Sequence, residues 1–191
     1  MMGNAVDTRA QRFRDLIEPR LNDAYTLARY LSRDPSVAED IVQEASLRAF
    51  RHVESLRSGG EARAWLLKIV RNCFYAWREK TGHVNFQSLD VDSLGEDISA
   101  MTEEADEAQL DLDPQRILER TMKRDAVREM IEALPVQFRE ALVLRELNDL
   151  SYREIAELTS MPIGTVMSRL ARAREMLRKM WLERAGEGVL L

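Results

Sequence analysis

The stretch that decides the fold of this chain is residues 151–179, SYREIAELTSMPIGTVMSRLARAREMLRK. Ser151 followed three residues later by Glu154 is a capping box, which fixes the start of a first helix. Pro162 suits the first turn of a second helix, because the N–H that proline lacks would have no partner there. Apolar side chains at helical spacing, with a small alanine at the crossing, can pack the two helices together: Ile155, Ala156, Val166 and Leu170. The stretch predicts a helix-turn-helix.

The second helix of this block has a polar surface that suits the major groove of DNA. Short hydroxyl side chains stand near its start and basic residues follow, which are the residue types that contact base edges and phosphates. These residues are Thr165, Ser168, Arg169, Arg172, Arg174, Arg178 and Lys179. An ordinary helical hairpin with a solvated basic face would share the pattern, so DNA binding is a hypothesis at this point.

Composition favours a helical globular protein of one or two small domains. The chain has 191 residues, of which 45% are hydrophobic and 32% charged, and Leu, Ala, Glu and Arg, all good helix formers, are abundant. No apolar run approaches the ~20 residues of a membrane span, and the first residues lack the apolar core of a signal peptide. The single cysteine, Cys73, cannot form an internal disulfide, so we expect a cytoplasmic location.

The negative charge of the chain is concentrated in its middle. Residues 81–115 hold ten acidic residues and no Lys or Arg, whereas residues 1–80 have a net charge of +3 and residues 116–191 a net charge of +2. The net charge of −5 is therefore no argument against DNA binding. We expect an all-α chain of two small helical domains, 1–80 and 114–184, joined by an acidic flexible linker, 81–113, and followed by a tail, 185–191.

Apolar periodicity places helices in both domains. The first domain should have a helix over about 9–31, a second opened by a capping box of Ser36 and Glu39, and a third over about 61–80. The second domain should have helices over about 114–133, 136–147, 151–159 and 162–184.

The helix over 61–80 has a polar face opposite its apolar stripe. Its residues recur at three- and four-residue steps: Lys68, Arg71, Asn72, Tyr75, Arg78 and Glu79. Cations for phosphates, an amide for base edges and an aromatic ring for stacking suit single-stranded or partly melted DNA, and Trp65 could add a stacking surface. Alternatively, Trp65 and Tyr75 are half-buried packing residues and the charges are solvated.

The helix after Ser36 carries a polar cluster of Asp40, Gln43 and Glu44. Acidic residues near a helix start commonly compensate the helix dipole, an effect of ~0.3–1 kcal/mol. A face that docks another protein is the alternative.

The sequence shows no catalytic constellation. His52 and His83 are the only histidines, and they share no metal-like spacing with Cys73. Cys73 lies on an apolar stripe, which indicates a small buried residue. No glycine-rich phosphate loop follows a strand. We expect neither an enzyme nor a bound metal or cofactor.

Taken together, these segments resemble the extracytoplasmic-function (ECF) group of bacterial RNA polymerase sigma factors. Residues 38–50, AEDIVQEASLRAF, are similar to the family's polymerase-docking helix in region 2, and residues 64–75, AWLLKIVRNCFY, to its promoter-melting and −10-reading segment. Residues 134–147, LPVQFREALVLREL, and the helix-turn-helix are similar to region 4, which reads the −35 element. The resemblance covers nearly the whole chain, with its motifs in a fixed order.

The resemblance implies roles for the candidate residues. Asp40, Gln43 and Glu44 would dock on the clamp helices of the polymerase β′ subunit, and the second domain would sit on the β flap. The residues implied in −10 DNA binding are Trp65, Lys68, Arg71, Asn72, Tyr75 and Arg78, and those implied in −35 DNA binding are Thr165, Met167, Ser168, Arg169 and Arg172. The acidic linker would enter the RNA path of the polymerase, and an anti-sigma factor would hold the protein inactive.

Two positions depart from the family pattern. Met167 stands where the family commonly has Lys or Arg, so a phosphate or guanine contact should be weaker and the −35 preference altered. Ser160 stands where the turn often has glycine, which adopts left-handed backbone more easily. A small stability cost is expected there.

The sequence leaves two other functions open. A helix-turn-helix transcription regulator would use only its second domain on DNA, without docking on polymerase. A helical adaptor or sigma mimic would keep the face at Asp40 and Glu44 but bind proteins only.

Overall fold

The computed structural model describes residues 3–56, 59–82 and 114–186, and these parts of the chain are helical without strands. Eight α-helices are present in the described ranges: α1 Gly3–Leu16, α2 Leu21–Ser32, α3 Pro35–His52, α4 Ala62–Lys80, α5 Pro114–Ala133, α6 Val136–Leu142, α7 Tyr152–Thr159 and α8 Ile163–Gly186. The predicted all-α fold is confirmed. The predicted linker lies, beyond residue 82, outside the described residues, as do residues 187–191 of the predicted tail.

Helices α1 to α4 form the first lobe. Helices α2, α3 and α4 pack against one another through alanines that allow close approach and through larger aliphatic and aromatic side chains. The buried residues of this group include Leu27, Leu31, Ile41, Ala45, Ala49, Leu66, Val70 and Phe74. Fully burying a side chain such as Leu66 contributes about 1.5–3 kcal/mol to folding, so this helix triad is the rigid base for the surfaces on α3 and α4.

The predicted helix over 9–31 is wrong in one respect, because the structure divides it. A 3-10 turn at Glu18–Arg20 separates α1 from α2. Pro19 has no N–H to give to a continuing helix, and its ring clashes with the preceding turn. Ile17, at the break, is fully buried, so the bend turns an apolar side chain into the core.

The predicted capping box of Ser36 and Glu39 is also wrong. The N-cap of α3 is Asp34, whose Oδ1 accepts hydrogen bonds from the backbone N–H of Ser36 at 2.8 Å and of Val37 at 3.3 Å. Pro35 occupies the first turn, where its fixed φ suits the helix. The helix therefore starts two residues earlier than the sequence pattern indicated.

Helices α5 to α8 form the second lobe, and the predicted helix-turn-helix is α7 and α8. Its core is made by Ile155, Val166 and Leu170, all essentially buried. The predicted helix over 136–147 is α6, and its last five residues, Val143–Leu147, form a π-helical turn. Ser160 lies between α7 and α8 with φ 58° and ψ 39°, which is left-handed. This is the geometry that glycine would adopt with less strain.

The two lobes are packed against each other. Helix α2 contacts α5 and α6, and α4 contacts α7. Buried apolar residues form one cluster that runs from Ile17 in the first lobe to Ala173 in the second. No helix in the described part of the chain is long and apolar enough to cross a membrane.

The start of α7 has the predicted capping box. The backbone N–H of Glu154 donates to Ser151 Oγ at 3.2 Å, and the backbone N–H of Ser151 donates to Glu154 Oε2 at 2.8 Å. Hydrogen bonds from the Ser151 hydroxyl and backbone lower the pKa of the Glu154 carboxyl from its usual value of 4.5.

Ser151→Ala should lower the free energy of unfolding by about 1 kcal/mol, because the cap of α7 is lost. Since the pKa of Glu154 is lowered in the folded state, its contribution is complete above the usual value and is lost as pH falls. The difference between wild type and Ser151→Ala should therefore shrink below about pH 4.5. Urea denaturation at several pH values measures both effects.

Ser36→Ala is the matched control, because Ser36 is an exposed serine near a helix start that is not the cap. It should change the free energy of unfolding by less than about 0.5 kcal/mol. A loss as large as that of Ser151→Ala would contradict the assignment of Asp34 as the N-cap of α3.

Candidate nucleic-acid interface

The outer face of α3 combines acidic and apolar side chains. Asp40, Gln43 and Glu44 are all exposed, and Leu47, one turn further along, is 51% exposed. We call these four residues the docking face. The opposite side of α3 supplies Ile41 and Ala45 to the core, because residues three and four apart share a helix face. Sequence reasoning missed Leu47, although a large aliphatic residue on a polar face was visible in the sequence.

The acids of the docking face differ in their surroundings. Glu44 Oε1 lies 2.6 Å from Arg48 Nε, one helical turn away on the same surface. The hydrogen bond to Glu44 raises the pKa of the Arg48 guanidinium. Both side chains are nearly half exposed, so the pair adds little stability and leaves Glu44 available to a partner.

The structure divides the predicted −10-reading residues of α4 between two surfaces. Lys68 and Asn72, one turn apart, are exposed. Arg71 and Tyr75 are half-buried against the second lobe, and the Arg71 guanidinium lies 4.6 Å from the centre of the Tyr75 ring. Trp65 is a partly buried residue packed on the core, and Arg78 is half-buried.

Arg71 and Tyr75 share one partner on the second lobe, the carboxylate of Glu140. Arg71 Nε donates to Glu140 Oε1 at 2.8 Å, and the Tyr75 hydroxyl donates to Glu140 Oε2 at 3.2 Å. We call this group the clasp. Each carboxylate oxygen thus has a donor from α4, so the clasp joins the two lobes through the centre of the candidate −10 surface.

The clasp is withdrawn from solvent. Glu140 is 1% exposed, and burial raises the pKa of its carboxyl despite the opposing attraction of Arg71. Burial, reinforced by the charge of Glu140, raises the pKa of Tyr75 to about 12. The positive charge of Arg169 on α8 also acts on Glu140 and lowers its pKa. Glu140 therefore has cationic neighbours from both lobes.

Other contacts between the lobes are also polar. Arg29 Nη1 lies 2.9 Å from Glu132 Oε1, and Asn148 Nδ2 donates to the Asp23 carbonyl at 3.1 Å. Arg139 Nη2 donates to the Leu31 carbonyl at 3.3 Å, and burial lowers the pKa of Arg139 to about 10. An interface with so many polar groups resembles a transient protein–protein interface more than a permanent one.

The predicted −35-reading residues lie along α8, with different exposures. Arg172 is exposed and Met167 is 38% exposed, so both are open to solvent. Thr165, Ser168 and Arg169 are half-buried, and the Ser168 hydroxyl donates to the Thr165 carbonyl at 3.0 Å. Ile163, at the start of the helix, is 51% exposed. The amino-terminal half of α8 thus has an apolar as well as a polar surface.

Metal ligands do not converge in the part of the chain that the structure describes. No group of three or more His, Cys, Asp or Glu residues there could hold a metal ion, and His83 lies outside the described residues. Cys73 is buried, as its position on the apolar stripe predicted, and burial raises the pKa of its thiol.

Family models match both lobes in order. The model "Sigma-70 region 2" matches residues 16–83, which span α2 to α4. The model "Sigma-70, region 4" matches residues 124–177, which include the helix-turn-helix.

Curated relatives extend this match over most of the chain. The ECF RNA polymerase sigma-E factor of Haemophilus influenzae is 34% identical over 151 residues, 79% of this chain and 77% of that protein. The factor of the same name from Escherichia coli K12 is 37% identical over 139 residues, 72% of this chain and 70% of that protein. The RNA polymerase sigma-H factor of Pseudomonas aeruginosa is 35% identical over 147 residues, 76% of this chain and 74% of that protein.

Solved structures share the fold. The sigma factor RpoE of Bartonella quintana, in complex with the anti-sigma factor NepR, is 28% identical, with a TM-score of 0.64 over 88% of this chain and 96% of that one. CnrH, in complex with the cytosolic domain of CnrY, has a TM-score of 0.58 at 18% identity over 92% of this chain and 96% of that one, a likeness of fold alone. Because relatives above 30% identity cover most of its length, the chain belongs to the ECF group of RNA polymerase sigma factors.

Proposed function

We propose that this chain binds core RNA polymerase and directs transcription initiation at promoters by reading −35 and −10 DNA elements, with no chemistry of its own. One observation carries the proposal: the region 2 and region 4 matches fall in order on two lobes, and both the docking face and Arg172 are exposed. Its place of action is the cytoplasm, where the polymerase works.

The docking face of α3 is the proposed site for core polymerase, at the clamp helices of the β′ subunit. Its acids can attract a basic partner over a distance and fix the register of docking. Leu47 adds an exposed apolar contact at the centre of the same surface, and desolvated apolar centres carry much of the energy of protein interfaces. This combination favours protein docking over simple compensation of the helix dipole.

The two lobes are the proposed DNA readers, over the ranges 1–80 and 114–184. On α8, the exposed Arg172 can reach bases or phosphates in the −35 major groove, next to Met167 and the hydroxyls of Thr165 and Ser168. On α4, Lys68 and Asn72 are accessible to −10 DNA, with Trp65, Arg71, Tyr75 and Arg78 as the remaining proposed contacts. Polymerase would hold both lobes near their elements, so neither lobe needs high DNA affinity alone.

Control by an anti-sigma factor is part of the proposal. The similar RpoE protein was solved with the anti-sigma factor NepR bound. We propose the β flap as the seat of the second lobe, and the RNA path of the polymerase as the place of the acidic residues 81–113, since ten negative charges suit a basic channel.

Asp40→Ala combined with Glu44→Ala should weaken binding to core polymerase about 30-fold, since each change removes an interface contact of about 1 kcal/mol. Leu47→Ala should weaken it as well, by loss of apolar contact. The measurement is a titration of fluorescently labelled protein with core enzyme, with circular dichroism as the check of folding.

Glu61→Ala combined with Glu79→Ala is the control, because it removes two exposed acids from the other side of the same lobe. It should leave core affinity close to that of wild type. If Asp40→Ala with Glu44→Ala binds core as tightly as this control, α3 is not the polymerase-docking helix.

Arg172→Ala should reduce run-off transcription from a −35-dependent promoter about tenfold, as expected from the loss of one base or phosphate contact of about 1–3 kcal/mol. Transcription from the same template with a scrambled −35 element should change little. Arg128→Ala, which removes an exposed arginine from α5, is the control and should have near-wild-type activity on both templates.

Equal losses for Arg172→Ala on both templates would contradict the assignment of α8 to the −35 element. Wild-type protein that binds core but gives no transcript from any genomic promoter would favour an adaptor. Tight binding to a palindromic site without polymerase would instead favour a conventional regulator.

A further inference from the structure

The clasp covers residues that the proposed function needs. Arg71 and Tyr75 lie at the centre of the candidate −10 surface of α4, yet both donate hydrogen bonds to Glu140 of the second lobe. With Glu140 only 1% exposed, a nucleic acid cannot reach these donors on the Glu140 side while the lobes are packed together. Lys68 and Asn72 stay open on the same helix.

We propose that the closed arrangement of the lobes is an autoinhibited state in which the Glu140 carboxylate competes with promoter DNA for Arg71 and Tyr75. The proposal rests on the proposed reading of −10 DNA by α4. It adds that the chain blocks this reading itself, through a contact within one molecule and before any other protein binds.

The chemistry of Glu140 suits a competitor of DNA. A carboxylate and a phosphate both offer anionic oxygens to the donors of an arginine fork, so they bind the same guanidinium in the same way. Tyr75 gives its hydroxyl hydrogen to the second carboxylate oxygen, and the Arg71 guanidinium covers its ring. One surface of Tyr75 that could stack on a base is therefore occupied as well.

The closed state is also built so that it can open. Among the described residues, Asn148 Oδ1 and Arg139 Nε are buried at the boundary of the lobes without a hydrogen-bond partner, which costs the closed state free energy. Water can satisfy such groups when the lobes separate. Glu140 would keep the favourable charge of Arg169, which belongs to its own lobe.

The docking face remains exposed while the clasp is closed. Asp40, Gln43, Glu44 and Leu47 lie on the outer side of α3, whereas the clasp is on α4 and α6. Polymerase can therefore bind the closed chain through α3, and separation of the lobes on its surface would then free Arg71 and Tyr75. In this order, DNA reading depends on polymerase docking.

Glu140→Gln should open the free full-length protein. Glutamine keeps the shape of the side chain but removes the charge that holds Arg71. The affinity for fluorescein-labelled oligo(dT) of about 12 nucleotides, measured by anisotropy without polymerase, should rise about tenfold, as expected when a form that is roughly 10% open becomes mostly open. The radius of gyration from small-angle X-ray scattering should rise as well.

Three further variants make the test specific. Glu146→Gln removes a glutamate from the turn that follows α6, where it pairs with Arg174 at 2.7 Å outside the clasp, and should behave as wild type. Adding Arg71→Ala to Glu140→Gln should abolish the gain in affinity while the radius of gyration stays raised. Tyr75→Phe removes only the hydroxyl contact, so it should give a smaller gain, and it serves if Glu140→Gln does not fold.

Wild-type affinity and an unchanged radius of gyration in folded Glu140→Gln would overturn the autoinhibitory clasp. Run-off transcription by the wild-type protein with core polymerase separates this failure from that of the proposed function. If the wild type transcribes but Glu140→Gln gains nothing, only the clasp is wrong. If Glu140→Gln opens but the wild type never transcribes, the proposed function is wrong and the closed state is confirmed.

Discussion

The packing of the two lobes depends on one buried charge. Removing a carboxylate from water is costly, and a lone buried ion would be expelled or protonated. Glu140 is retained between the lobes because Arg71 and Tyr75 satisfy its two oxygens and Arg169 adds a second positive charge nearby. Loss of either partner would leave a buried charge with incomplete compensation. The contact therefore specifies one arrangement of the lobes more strongly than it stabilises it.

This arrangement links the surfaces of the molecule to the order in which a sigma factor would use them. The docking face needs no opening, since α3 presents it to solvent on the outside of the first lobe. The −10 surface is only partly available, since Lys68 and Asn72 are exposed and Arg71 and Tyr75 are not. A polar interface between the lobes can be exchanged for contacts with polymerase and DNA at modest cost. The fold thus separates binding of the enzyme from reading of the promoter.

Local features were predictable from sequence because their causes are local. The capping box at Ser151 and Glu154 fixed the start of α7, and apolar spacing placed the helices of the second lobe. Errors arose where two local signals competed. Asp34 with Pro35 capped α3 in place of Ser36, and Pro19 divided the first predicted helix. Leu47 was overlooked because the search on α3 was for polar residues.

The clasp could not be predicted, because its partners are 69 and 65 residues apart in sequence. Within α6, Glu140 follows Arg139 in a short helix and has no feature of a buried residue. Arg71 and Tyr75 were correctly identified as special, but their partner in the free chain is a carboxylate of the same molecule. Sequence patterns report the faces of single helices, whereas packing between the lobes depends on long-range complementarity.

The central claim, that the free chain is closed and opens on polymerase, is tested most directly by the distance between the lobes. Spin labels can be attached to cysteines introduced at the exposed positions Arg51 and Lys179, while Cys73 stays unreactive because burial protects its thiol and raises its pKa. Double electron–electron resonance should give one narrow, short distance in the free protein and a longer one in the complex with core polymerase. The same distance in both states, or a broad distribution in the free protein, would contradict the account.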